Sequence, residues 1–199
     1  MTAEPIDNRL FLLILQHPQE KKEGMATAAA TVAMLRRATL VVGLSWANLP
    51  QALGWPADPR RWLVLYLGSW WPRVFSLKRD VVALDRRGAP AVDQQVLLRD
   101  LDGVVLLDGS WSEAKALWWR NPWLLKLRRV VPDPPHPSRF NRVRREPRRE
   151  ALSTIEAAAL LLSRVEKRPE IETTLTAALE NLIAASDPRG AAARQRSAP

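Results

Sequence analysis

The sequence has no cysteine and only two histidines, His17 and His136, among 199 residues. It therefore has neither a disulfide nor a thiolate nucleophile, and two histidines are too few for a usual zinc site. Glycine is scarce, with eight residues, and no glycine-rich dinucleotide or phosphate-binding motif occurs. No Gly-x-Ser-x-Gly motif occurs either. These absences argue against a metal site, a dinucleotide fold of the usual kind, a nucleotide triphosphatase and a hydrolase.

Long apolar runs are also missing, since none approaches the roughly 20 residues of a transmembrane helix, and no signal peptide is recognisable. With 47% hydrophobic and 26% charged residues, the composition is typical of a soluble globular protein. The length predicts one domain over residues 1–186, followed by a disordered tail at 187–199. We expect a cytoplasmic protein with no membrane contact.

Basic side chains exceed acidic ones by 30 to 21, which gives a net charge of +9 and an isoelectric point near 10.9. This excess favours a polyanionic partner such as nucleic acid. Residues 126–150 alone hold nine basic and three acidic side chains. A run of like charges is usually a solvated surface, but the concentration here predicts a nucleic-acid contact.

Apolar runs alternate with amphipathic segments, which predicts an α/β fold with a mostly parallel sheet and helices on both faces. A loop is predicted from Ser45 to Arg61, and the buried face of one helix is expected to hold Trp118, Trp119 and Trp123. Strands are predicted at residues 10–15, 40–44, 62–67, 104–108 and 127–131. Helices are predicted at residues 26–37, 91–98, 111–120, 154–167 and 170–185.

Residues 104–113 (VVLLDGSWSE) join a buried strand to the start of a helix. Asp108-Gly109 makes the turn, and Ser110 with Glu113 three residues later forms a capping box. In open α/β sheets, ligands lie outside the carboxyl ends of strands, near the free N–H groups of the next helix. Asp108 is therefore a candidate site residue, although Asp and Ser are also ordinary caps at such turns.

Two other segments carry polar groups in similar positions. The first strand is followed by Gln16, His17 and Glu20, although a lone loop histidine usually bonds to nearby backbone. Ser153 and Glu156 form a second capping box at the start of a helix.

The tetrapeptide Asp108-Gly109-Ser110-Trp111 resembles the Asp-x-Thr/Ser-Trp motif of the DTW-domain family, with Ser where Thr is commoner. Three further blocks follow the family's order: residues 15–20 (LQHPQE), 138–147 (SRFNRVRREP) and 152–157 (LSTIEA). The chain is thus similar to this family over about residues 10–165. It lacks the cysteine cluster of longer members, and residues 68–72 depart from the commoner pattern.

The resemblance implies a SPOUT-like sheet with a trefoil knot, a topology that periodicity cannot reveal. It also implies transfer of the 3-amino-3-carboxypropyl group of S-adenosylmethionine to N3 of a uridine in tRNA. Asp108 is then expected to act as a general base or to orient the nitrogen. The expected cofactor-binding residues are Gln16, His17, Glu20, Gly109, Ser110, Trp111, Leu152, Ser153 and Thr154. The expected RNA-binding residues are Arg139, Arg142, Arg144 and Arg145.

Two other functions stay open at this point. One is a SPOUT-type RNA methyltransferase, because a sulfonium can be attacked at any of its three carbons and orientation selects the product. The other is a non-catalytic RNA-binding module. The sequence does not decide between tRNA and ribosomal RNA, or between a monomer and a homodimer.

Overall fold

The computed structural model describes residues 4–20, 26–65, 81–85, 87–132 and 152–186. Within them, one sheet has the strand order β2-β1-β5-β3-β6-β4. Every neighbouring pair is parallel except β4 and β6, which are antiparallel. The strands are β1 (Phe11–Gln16), β2 (Ala38–Val42), β3 (Trp62–Leu65), β4 (Val81–Leu84), β5 (Gly103–Asp108) and β6 (Arg128–Pro132).

The helices of the described residues connect these strands or follow the last of them. They are α1 (Thr27–Ala33), α2 (Leu49–Leu53), α3 (Gln94–Leu97), α4 (Trp111–Arg120), α5 (Thr154–Glu166) and α6 (Pro169–Ser186). Two short 3₁₀ segments, Pro59–Arg61 and Pro122–Lys126, precede β3 and β6.

The sheet separates two hydrophobic cores. Side chains alternate along a strand, so Leu12 and Ile14 of β1 face one core while Leu13 and Leu15 face the other. The first core packs against α1, α5 and α6, and the second packs against α2 and α4. Because β1 is covered on both faces, its sequence is a continuous apolar run rather than an alternating one. The predicted α/β fold, mostly parallel sheet and helices on both faces are confirmed.

Several predicted elements differ from the structure in extent. The predicted loop after β2 contains α2, which is capped by the Asn48 side chain and ended by Gly54 at φ 85°. Five residues with a proline in the first turn are too few to show helical periodicity. The helix predicted at 91–98 has only four residues, and α1 ends early because Leu35 bridges to Ile6. The second strand begins at Ala38, two residues before its predicted start.

Strand β4 was not predicted at all. Its four residues, VVAL, are too short for a pattern, and it pairs antiparallel at the edge of the sheet. The prediction for the tryptophans was partly wrong, because Trp118 and Trp123 are buried but Trp119 is 75% exposed. Adjacent helical residues point about 100° apart, so the two cannot both face the core. The tail at 187–199 lies outside the described residues.

None of the described helices combines the length and the apolar character that a membrane crossing requires.

Replacing Gly103 with alanine should destabilise the sheet. A Cβ there would lie 2.6 Å from both the Phe11 carbonyl oxygen and the Trp62 ring. Neither a strand backbone nor a buried indole can shift without a free-energy cost. We expect a loss of about 1–3 kcal/mol in the free energy of unfolding, measured with urea. Val92→Ala, at a side chain that is 105% exposed, is the control and should stay within about 0.5 kcal/mol. Equal stability of the two variants would contradict the close contact.

Candidate active site

The candidate site lies at the carboxyl ends of β1 and β5, which are neighbours in the middle of the sheet. Gln16 and Asp108 are the last residues of these strands and stand opposite each other in register. Their side chains are almost fully buried, at 9% and 6% exposure. Two motifs that the sequence separates by 92 positions therefore meet in one place.

The Asp108 carboxylate is held at both of its oxygens. Gln16 Nε2 donates to Oδ2 at 2.7 Å, and the Thr154 hydroxyl donates to Oδ1. Thr154 is the first residue of α5, so this bond fixes the start of that helix against β5. An ionised carboxylate has about two acceptor positions on each oxygen. Asp108 can therefore accept further hydrogen bonds while both of these are in place.

The same contact fixes the orientation of the Gln16 amide. An ionised carboxylate only accepts, so Gln16 must present its NH₂ group to Asp108. Its carbonyl oxygen is then directed elsewhere and has no hydrogen-bond partner among the described residues. The backbone supports this arrangement, because the His17 N–H donates to the Asp108 carbonyl at 3.0 Å and the Gly43 N–H donates to the Gln16 carbonyl at 3.1 Å.

Gly109 makes the turn out of β5 with φ at +149°, a region that favours glycine. A Cβ at this position would lie 2.9 Å from the Glu113 Cβ and 3.4 Å from the His17 Cβ. Glycine therefore lets the end of β5, the first turn of α4 and the loop after β1 approach one another.

Both predicted capping boxes are present. The Ser110 N–H donates to Glu113 Oε2 at 2.6 Å, and the Ser153 N–H donates to Glu156 Oε2 at 2.9 Å. One box opens α4 directly after Asp108, and the other opens α5 at the residue that bonds Asp108. Two helix N-termini, with their positive dipole ends, thus meet beside this carboxylate. Such an arrangement suits a ligand with an anionic group.

His17 bonds to nearby backbone, as a loop histidine commonly does, and also contacts α4. The Gln19 N–H donates to His17 Nδ1 at 3.3 Å, and Glu113 Oε1 lies 3.3 Å from the same nitrogen. The capping-box pattern predicts only a capping role for Glu113. Its contact with His17 was missed, and the three-residue spacing from Ser110 was the only available signal that Glu113 faces this turn.

The other predicted cofactor-binding residues lie on the segments that carry Gln16, Asp108 and Thr154. Glu20 lies on the loop after β1, where its N–H donates to the His17 carbonyl at 3.1 Å. Trp111 is the first residue of α4, and Leu152 is partly buried against the core beneath α5. The four predicted RNA-binding residues, Arg139, Arg142, Arg144 and Arg145, lie outside the described residues.

Comparison with known proteins identifies relatives. A family model described as DTW domain matches residues 2–186. The chain is similar to tRNA-uridine aminocarboxypropyltransferase 2 of Drosophila melanogaster, at 32% identity over 179 residues, covering 86% of this chain and 62% of that protein. It is also similar to proteins of the same name from Mus musculus and Macaca fascicularis, at 27% and 25% identity, each covering 98% of this chain and 60% of the relative. No solved structure matches.

Replacing Gly109 with alanine should destabilise the protein more than the same change at Gly54. Both glycines have positive φ, but a Cβ at Gly54 meets nothing within 4 Å, whereas one at Gly109 meets Glu113. Backbone strain costs about 1–3 kcal/mol at each position, and crowding adds about 1–3 kcal/mol at Gly109 alone. Thermal and urea unfolding of the two variants measure the difference. Equal losses of stability in the two variants would show that α4 shifts to accommodate the added Cβ without a free-energy cost.

Proposed function

Because this chain belongs to the DTW domain family, we propose that it is a tRNA-uridine aminocarboxypropyltransferase. In this proposal, the 3-amino-3-carboxypropyl group of S-adenosylmethionine is transferred to N3 of a uridine in tRNA. The names of the relatives support it, although the chain spans only about 60% of their length.

The observation that carries the proposal is the convergence of three motif blocks on one carboxylate. Gln16 comes from residues 15–20, Asp108 from residues 108–111 and Thr154 from residues 152–157. Residues far apart in sequence thus surround one buried acidic group at a strand end, where α/β proteins place their ligands.

The described residues fit the amino-acid part of S-adenosylmethionine. Its carboxylate suits the N-termini of α4 and α5, and its ammonium group suits the Gln16 carbonyl oxygen or Asp108. We assign cofactor binding to three segments around these elements. They are Gln16, His17 and Glu20 after β1, Gly109, Ser110 and Trp111 at α4, and Leu152, Ser153 and Thr154 at α5.

The bound cofactor supplies an electrophilic carbon whose bond to sulfur breaks, with methylthioadenosine as the leaving group. The protein's task is to present that carbon, rather than the methyl carbon, to the uridine nitrogen. The N3 proton of uridine must also be removed. We assign this step to Asp108, either as the base that accepts the proton or as the group that orients the nitrogen.

We further propose the SPOUT-like sheet with a trefoil knot that the family resemblance implies. From the length and composition of the sequence, we propose a single DTW domain at residues 1–186, a tail at 187–199 and a cytoplasmic location. Among the described residues, α5 begins beside the carboxyl end of β5, which is two strands away from β6 in the sheet. No specific observation favours methyl transfer or a non-catalytic role.

The decisive assay uses the purified protein, a mixed tRNA pool and S-adenosylmethionine labelled in its amino-acid arm. After digestion to nucleosides, we expect the label in a modified uridine whose mass has increased by one aminocarboxypropyl group. A parallel reaction labelled in the methyl group should leave the RNA unlabelled. Label from the methyl group would identify a methyltransferase instead, and label from neither would refute transfer to tRNA.

Asp108→Asn should lower the transfer rate by at least about 100-fold, because an amide cannot act as a base. The fold should persist, since an asparagine can still accept from Gln16 with its oxygen and donate to the Thr154 hydroxyl with its nitrogen. Single-turnover kinetics at saturating cofactor measure this effect.

The matched control is Asp7→Asn, an exposed aspartate before β1, which should transfer at the normal rate. Thr154→Val removes one of the two donors to the carboxylate and should lower the rate less than Asp108→Asn does. Full activity in Asp108→Asn would remove Asp108 from the mechanism.

Replacing Arg142, Arg144 and Arg145 together with alanine should weaken tRNA binding and reduce its salt dependence. Each lost phosphate contact lowers the slope of log affinity against log salt by about 0.7–0.9. The charge-matched control replaces three exposed arginines elsewhere: Arg36, Arg60 and Arg87. Equal slopes in the two triple variants would place the phosphate contacts outside residues 142–145.

A further inference from the structure

A concave region lies at the opposite end of the sheet from Asp108, around the amino ends of β1, β3 and β5. The cavity has a volume of about 840 Å³, and four arginines and Trp55 are among its lining residues. Gly103 and Asp108 mark the two ends of β5, and five steps of about 3.3 Å separate them by roughly 17 Å. A group bound in this cavity therefore does not touch the Asp108 site.

Two of the four arginines stabilise the walls of the cavity. Arg9 Nη1 donates to the Leu101 carbonyl at 3.0 Å, and Arg61 Nη2 donates to Asp102 Oδ1 at 2.7 Å. The Asp102 carboxylate also raises the pKa of Arg61, so this guanidinium stays charged. These two side chains are already engaged within the protein.

The other two arginines, Arg37 and Arg99, are available to a ligand. Both are exposed, and neither guanidinium has a hydrogen-bonded or ionic partner among the described residues. Arg37 directly precedes β2, and Arg99 lies in the turn before β5, where Asp100 adopts a left-handed φ of 54°. Free guanidinium groups in a concave surface suit phosphate, which they can bind in a bidentate manner.

An aromatic ring lies in the same cavity. Trp55 is 40% exposed and packs edge-to-face on Phe11, with ring centroids 4.7 Å apart and planes at 76°. Phe11 thus supports an indole that still has accessible surface, which is the property of a base-stacking platform. The lining also includes Trp62, whose buried indole nitrogen has no hydrogen-bond acceptor among the described residues. A buried donor without an acceptor is uncommon in proteins.

We propose that this cavity is a second RNA-contact site, which takes one nucleotide of the bound RNA. Its phosphate contacts Arg37 and Arg99, and its base packs on Trp55. Charge complementarity and an aromatic surface together favour a nucleotide, since the lining holds four arginines and two aspartates, one of which is paired with Arg61. The inference rests on the proposed function in one respect, namely that the substrate is an RNA.

The test compares Arg37→Ala/Arg99→Ala with the wild-type protein in direct tRNA binding at several salt concentrations. Loss of two phosphate contacts should lower the slope of log affinity against log salt by about 1.4–1.8. The charge-matched control, Arg87→Ala/Arg120→Ala, removes two exposed arginines outside the cavity and should keep nearly the wild-type slope. All four side chains are exposed, so thermal unfolding should show that both double variants remain folded.

Trp55 provides an independent readout. Trp55→Ala should weaken tRNA binding at least about fivefold with an unchanged salt slope, because stacking involves no counterion release. Trp55→Phe, which keeps an aromatic face, should restore most of the affinity. If Trp55→Ala bound tRNA as tightly as the wild-type protein, the proposed stacking of a base on Trp55 would be refuted.

Two outcomes separate this inference from the proposed function. If the wild-type protein transfers the group to tRNA, and both double variants show the wild-type slope of log affinity against log salt, the cavity proposal fails and the proposed function stands. If the wild-type protein binds tRNA through Arg37 and Arg99 but transfers nothing, the function fails and the cavity stands.

Discussion

The Asp108 carboxylate is the group on which the candidate site depends. It joins the ends of two central parallel strands to the first residue of α5 through Gln16 and Thr154. Burying a carboxylate costs free energy unless hydrogen-bond donors replace the lost water. The two donors, Gln16 and Thr154, together offset that cost for Asp108. The helix that starts at Thr154 also covers one face of the sheet, which means that the hydrophobic core and the polar site position each other.

The two ends of the sheet have different chemistry because parallel strands place all their carboxyl ends at one edge. At that edge, the N-termini of α4 and α5, each with a capping box, lie beside Asp108. At the opposite edge, the same topology gathers the residues that precede the strands, including Arg9, Arg37 and Arg61. One architecture thus produces a compact polar site on one side and an arginine-lined cavity on the other.

The sequence predicted the central part of the fold well, because buried strands such as β1 and β5 leave uninterrupted apolar runs and both capping boxes have a local pattern. It missed β4 and α2, whose four or five residues are too short for periodicity. The family pattern selected Gln16, Asp108 and Thr154 as site residues. Their direct hydrogen bonds, in contrast, depend on strand order and register, which no local pattern encodes.

The long sequence separations within the site have a consequence for biosynthesis. Gln16 and Asp108 are 92 positions apart, and Thr154 follows Asp108 by a further 46. On a ribosome, which releases the chain from its N-terminal end, the carboxylate cannot obtain its second donor until α5 has left the exit tunnel. Non-local pairing of this kind forms late and slowly. A nascent chain that stops before residue 154 therefore lacks the complete polar cluster, however well its first strands have paired.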